Sequence, residues 1–262
     1  MKSLKDLSPF VREMPDGGFM ITLAFDTCLD KMYAVLKKDG EILASRTVEN
    51  HDNKYHSAFL ISTLQEIMSE NGIKPENIDL IATNIGPGSF TGIRACVTVA
   101  RVMAQQLNCK TVGISSLEIL AHAYIRHSEL NTMRSFANAQ DDNAKNLKNI
   151  IVALDARKNS AYLYQDGEIK GAVPLDEIKT EGYTVLTDDK LQPILGGTSY
   201  QQMNLPLGDS LADLAEKYLS PLPMGEGRIL NKLVSCKNSG EGIDADWRKL
   251  KPLYIQPPPA VK

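Results

Sequence analysis

A chain of 262 residues, 43% of them hydrophobic, has room for one large or two modest packed domains, and two is the better fit. A formal net charge of -3 supplies no overall attraction for nucleic acid or an anionic membrane, so direct polyanion binding is not the default. Residues 1–19 lack the apolar core of a signal peptide, no run reaches membrane-spanning length, and the four cysteines show no C-x-x-C spacing; together these predict a cytoplasmic protein with reduced, structural thiols.

The chain opens on a polar leader, 1–19, that ends in Pro15-Asp16-Gly17-Gly18 and reads as disordered, with Met20 as an alternative initiator. Residues 20–25 then read as a buried strand. Two further strand-like runs, 32–36 and 41–45, flank Lys38-Asp39-Gly40, and Asp-Gly between such runs signals a tight hairpin. Between His56 and Asn71, Leu60, Leu64 and Ile67 share one helical face, with Phe59 and Met68 beside it and Gly72 placed to end the helix. Residues 78–85 form a second buried strand. It runs into Gly86-Pro87-Gly88-Ser89-Phe90-Thr91-Gly92, after which Ile93, Val97, Ala100, Ala104 and Leu107 recur at helical spacing. Residues 110–114 give another strand, and Ser115-Ser116-Leu117-Glu118 starts a helix with a capping box. This order predicts a mixed sheet with helices packed on it.

From 127 to 149 the chain turns polar and reads as an insert or linker. Beyond it, the runs 150–155 and 160–165, followed by Asp166-Gly167 and a third short run, repeat the opening of the first half. The repeat predicts duplicated domains, 20–126 and 150–262. Leu211, Leu214, Ala215 and Tyr218 support a helix, 221–243 reads as an irregular insert, and Pro257-Pro258-Pro259 ends the chain in an extended tail.

The glycine turn is the chief candidate for chemistry. Between strand and helix, Gly86, Pro87, Gly88, Ser89, Phe90, Thr91, Gly92 and Arg94 form a candidate ligand loop, because amides at a helix N-terminus suit a phosphate or carboxylate. A purely structural turn capped by Ser89 or Thr91 explains the same residues. No Gly-Lys-Ser/Thr closes it as a phosphate loop would. Asp26-Thr27-Cys28 and Asp155 end the equivalent strands of the two halves, where an acidic residue could serve a nucleotide's metal and phosphates or simply form a turn. The histidines pair as His51 with His56 and His122 with His127, each five apart, a spacing that does not suit a shared ion on a helix, so no metal site is expected. Ser89 has no Gly-x-Ser-x-Gly elbow. In the helix after the turn, Cys96, Val99 and Met103 widen the apolar surface and leave Arg94, Thr98, Arg101 and Gln105 as the polar strip; a partner helix and full burial in a monomer both account for that width.

The run from Gly86 to Arg94, with Ala24-Phe25-Asp26-Thr27, Gly113-Ile114-Ser115-Ser116-Leu117 and Ala153-Leu154-Asp155-Ala156-Arg157, resembles the TsaB (YeaZ) family of accessory proteins for threonylcarbamoyladenosine synthesis on tRNA. His56-Ser57 and Pro252-Leu253-Tyr254-Ile255 are similar to that family's pattern as well. The resemblance implies two tandem actin-like (ribonuclease-H-like) α/β domains and no catalytic residues. It also implies a TsaD-like catalytic partner that transfers the threonylcarbamoyl group, a TsaE-like ATPase that joins the assembly, and tRNA met through the complex. TsaD-like proteins carry paired metal-binding histidines on the helix after the glycine turn, and residues 93–107 contain none. Cys28 stands where a serine is usual.

On this reading the partner-binding residues are Phe59, Leu60, Thr63, Ile93, Val97, Ala100 and Ala104, and the same face would serve a homodimer until the partner arrives. No cofactor is expected, with vestigial nucleotide binding left open. The alternatives are an actin-like phosphoryl or acyl transferase that binds ATP between its domains, with Asp26, Ser89 and Asp155 lining the cleft, and a peptidase of the M22 type, a label the wider group carries.

Overall fold

The six residues of β1, Ile21–Asp26, are buried at every position, the mark of a strand covered on both faces. The structure, a computed structural model, describes residues 20–49, 56–135, 149–219 and 246–253. β1 pairs antiparallel with β2 (Met32–Lys38) and parallel with β4 (Leu80–Gly86). Adding β3 (Glu41–Val48) and β5 (Lys110–Ser115) gives a five-stranded sheet in the order β3-β2-β1-β4-β5. The β2–β3 hairpin turns at Asp39 and Gly40, with φ of 49° and 81°, the left-handed pair that a two-residue turn demands.

The second half repeats the plan. β6 (Ile150–Arg157) pairs antiparallel with β7 (Ser160–Gln165) and parallel with β9 (Thr184–Thr187), and with β8 (Glu168–Pro174) and β10 (Thr198–Ser199) the order is β10-β9-β6-β7-β8. Asp166 and Gly167, with φ of 55° and 80°, repeat the first hairpin turn. Two mixed sheets with flanking helices give the duplicated α/β plan that the repeated pattern predicted, and with it the two-domain actin-like fold that the resemblance implied.

The helices bind the halves together. α1 (Leu60–Glu70) and α2 (Phe90–Leu107) cover one face of the first sheet, burying Leu64, Ile67, Val97 and Ala100 against Leu23, Phe25 and Ile81. Its other face meets α3 (Ser116–Ser135) and α5 (Leu207–Leu219), whose Leu117, Leu120, Leu211 and Leu214 share one core with Val152 and Leu186 of the second sheet. α5, late in the chain, therefore lies chiefly on the first sheet, against β1 and β2. Lys37 of β2, its side chain only 3% exposed, reaches both Asp213 and Glu216 of α5 at 2.7 Å, and Thr22 of β1 donates to Glu216 at 2.9 Å. Arg126 of α3 pairs with Asp213 from the other side. Residues 246–253 also return to the first sheet. There Leu250 packs beside Gly113 of β5, and the Leu253 amide donates to the Ile85 carbonyl at 2.8 Å.

The outer face of the second sheet is thinner: Ile151, Ala153, Leu163 and Val185 are closed by α4 (Gln192–Leu195) and neighbouring turns rather than by long helices. α3 runs to Ser135, so the polar stretch that begins at 127 opens as helix instead of linker; His127 and Ser128 are half-buried and Glu129 is exposed. The Ser115 capping box forms as expected, with the Ser115 amide donating to Glu118 and Ser115 Oγ accepting from the Leu117 amide, both at 3.3 Å. Among the described residues no helix is long and apolar enough to cross a membrane. The expected leader 1–19, the insert 221–243 and the proline tail lie outside the described residues.

Candidate functional site

β1 and β4 are neighbouring parallel strands, so their C-terminal ends, Asp26 and Gly86, open side by side where α/β sheets usually hold ligands. Asp26, 2% exposed, does not face an open cleft. Its Oδ1 accepts the Cys28 amide at 2.6 Å and its Oδ2 accepts Asn84 Nδ2 at 2.9 Å. Asn84 Oδ1 in turn accepts the Gly86 amide at 2.8 Å and Ser116 Oγ at 2.9 Å. The carboxylate thus organises the ends of β1 and β4 and the start of α3.

The glycine turn seats on top of this network through a cis Gly86-Pro87 peptide. The Ser89 amide donates to the Cys28 carbonyl at 2.7 Å, and Ser89 Oγ caps α2 by accepting the Gly92 amide at 3.3 Å. Any side chain at Gly88 would overlap the Cys28 carbonyl oxygen, and any at Gly92 would overlap that of Thr27. Those two glycines let the backbone of the turn lie directly on the end of β1, a packing duty that needs no ligand. Gly86, Pro87 and Gly92 are buried, while Gly88, Ser89, Phe90, Thr91 and Arg94 are exposed, the Arg94 guanidinium 5.4 Å above the Phe90 ring.

At the matching point of the second half, Asp155 accepts the Arg157 amide at 2.8 Å and Lys190 Nζ at 3.2 Å. Burial works to raise its pKa, but those bonds and the charges of Lys190 and Arg157 hold it below the usual carboxylate range. Tyr200, buried in the core that the two sheets share, has its hydroxyl pKa raised by burial first and then by the negative charges of Asp30, Asp188 and Asp26. Tyr33, on the β2 side, is raised for the same reasons, burial first and Asp30 next.

The structure places the expected partner-binding residues inside the chain's own core. Leu60 is 1% exposed, Thr63 6%, Ile93 5%, Val97 4%, Ala100 and Ala104 0%, and Phe59 is half-buried. Periodicity selects the buried stripe of a helix, and here that stripe faces the first sheet. The outward surface of the same helical layer carries other apolar groups: Ile61, Phe90 and Val102, each at least half exposed, among Gln65, Thr98 and Gln105. Asn84 and Ser116 were missed from sequence. Asn84 had one signal, a lone amide in an otherwise apolar strand.

The family model described as TsaD, tRNA N6-adenosine threonylcarbamoyltransferase, matches residues 42–188. The tRNA threonylcarbamoyladenosine biosynthesis protein TsaB of Bacillus subtilis is 24% identical over 181 residues, an alignment covering 67% of this chain and 69% of that protein. TsaB of Escherichia coli is 22% identical over 250 residues, covering 90% of this chain and 95% of that protein. A crystal structure from Pseudomonas aeruginosa, described as an uncharacterized protein with similarity to peptidase YEAZ, superposes with a TM-score of 0.59 at 20% identity, covering 90% of this chain and 100% of that one.

Proposed function

The chain belongs to the TsaB (YeaZ) family, and on that premise we propose that it acts in tRNA threonylcarbamoyladenosine biosynthesis as a non-catalytic scaffold for a TsaD-like subunit. The observation that carries this reading is the state of the ancestral ligand site. Asp26 is buried in bonds to Cys28 and Asn84, and the glycine turn is packed onto β1. These groups hold the fold, which leaves the surface as the working part.

The docking face in this reading is the outer side of α1 and α2, with Ile61, Phe90 and Val102 as its apolar anchors and Arg94 and Glu66 at its polar positions. The same face would serve a homodimer in the absence of the partner. A TsaE-like ATPase joins the pair, and tRNA is met in the cytoplasm through the complex rather than by this chain alone. Peptidase chemistry finds no support at Ser89, whose hydroxyl accepts the Gly92 amide as a helix cap.

The test is co-expression with the TsaD-like protein of the same organism, followed by a tRNA modification assay with and without this chain. The scaffold reading expects co-purification, modification only when both proteins are present, and no ATP turnover or peptide cleavage by the chain alone. Modification that proceeds equally well in its absence would overturn it.

A further inference from the structure

Cys28 and Cys96 are 68 positions apart in sequence and meet in the folded chain. Cys28 follows β1, and Cys96 lies in the second turn of α2. One ligand atom from each of Asp26, Cys28 and Cys96 lies within 4.8 Å of the others, and all three side chains are buried. Three donors that converge this closely from two separate elements match the spacing of ligands around one small cation.

The surroundings resemble those of bound thiolates. The Thr27 amide donates to Cys96 Sγ at 3.1 Å, and Thr27 Oγ1 lies 3.1 Å from the same sulfur. Such N–H contacts to sulfur stabilise negative charge on it and fix its direction. The Asp26 carboxylate is oriented by the Cys28 amide and by Asn84 Nδ2. The Cys28 thiol donates to the Asn84 carbonyl oxygen at 3.4 Å, which fixes the direction of its sulfur. Cys109, the third buried thiol among the described residues, lies outside this group.

We propose that Asp26, Cys28 and Cys96 form a structural binding site for a zinc ion that pins the end of β1 to α2. Binding releases both thiol protons to solvent and leaves two thiolates and one carboxylate around a doubly charged cation, with no change of oxidation state. Because the ligands are closed off by the glycine turn, the ion enters as the chain folds, and its binding energy becomes folding energy. The site goes beyond the scaffold reading and does not depend on it, since a chain that fails to bind a TsaD-like partner can still hold zinc.

The experiment uses the full chain carrying Cys109→Ala and Cys236→Ser, so that Cys28 and Cys96 are the remaining thiols. After expression in zinc-supplemented medium and gel filtration, elemental analysis is expected to find about one zinc per chain. Refolding from chelator and denaturant with cobalt(II) alone should give thiolate-to-cobalt charge transfer and the visible bands of a tetrahedral ion. Cys96→Ser or Asp26→Asn in this background should lower the affinity at least about tenfold, with circular dichroism confirming that each variant is folded. A folded protein with less than about a tenth of an equivalent of zinc and no cobalt bands, or one whose two sulfurs are joined as a disulfide, overturns the proposal.

Discussion

Thr27 and Gly92 hold each other closely: Thr27 Oγ1 donates to the Gly92 carbonyl at 2.9 Å, and the Gly92 α-carbon faces the Thr27 carbonyl so closely that no side chain fits between them. Gly92→Ala should therefore destabilise the protein without any ligand present, by about 1–3 kcal/mol as overpacking does, read as a fall in urea midpoint at unchanged m-value. If the glycines served only to admit a ligand, the apo protein would not register the change.

The two sides of α2 should respond oppositely to charge. Val102→Glu on the outer side should leave thermal stability within about 0.5 kcal/mol of the parent while abolishing co-purification with the TsaD-like subunit. Val97→Glu, 4% exposed and facing the first sheet, should cost about 4 kcal/mol or more and yield little folded protein. Association that survives Val102→Glu, Phe90→Asp and Ile61→Glu combined would move the docking face elsewhere.

Lys37 joins the two halves through Asp213 and Glu216. Its replacement by Met leaves two buried-side carboxylates facing each other across a lost cation, at a cost of about 3–5 kcal/mol. Burial opposes the charge on Lys37, but the two carboxylates prevail and hold its pKa above the ordinary lysine value. The stability it contributes is thus complete at neutral pH and is lost as pH rises through that elevated value. Denaturant titrations of parent and Lys37→Met should converge in strong alkali.

Glu118 gives the opposite pH dependence for an acid. Burial raises its pKa, and the bonds from Tyr218 at 2.8 Å and the Ser115 amide offset that only in part. The folded state then holds a proton that the unfolded state has released, so stability falls as pH rises from about 4.5 through the elevated folded value. Glu118→Gln, which imitates the protonated acid, should raise Tm at neutral pH and make no difference near pH 4. Equal displacement at both pH values would show a packing effect instead.

The chain's one tryptophan, Trp247, lies beside α2 with Arg101 5.9 Å and Arg248 5.0 Å from its ring. A partner that covers α2 should alter the solvent around this ring, so its emission should shift on titration with the TsaD-like subunit. Trp247→Phe removes the signal and should leave binding intact, and a titration with no shift would place the contact away from this flank of α2.

Local chemistry made the strands, hairpins and caps legible. Asp39-Gly40 and Asp166-Gly167 mark turns that the backbone adopts for the reason their sequences suggest, and at the start of α3 Glu118 accepts the Ser115 amide while Ser115 Oγ accepts the Leu117 amide. Relations that join distant segments were not legible. Nothing near Leu211 or Leu214 says that α5 will complete the core of the first half, and nothing in the spacing of Cys28 and Cys96 says that they will touch. The partner residues show a subtler limit. Apolar periodicity selected Ile93, Val97 and Ala100, which pack against the sheet, and passed over Phe90 and Val102, which break the stripe because they are exposed.

The crossing of α5 onto β1 and β2 also governs how this protein comes off the ribosome. When the first sheet and α1 to α3 have emerged, one side of that sheet still waits for Leu207–Leu219, so its apolar surface stays uncovered until that helix has followed. A fragment cut short before α5 would leave that surface open and prone to aggregate.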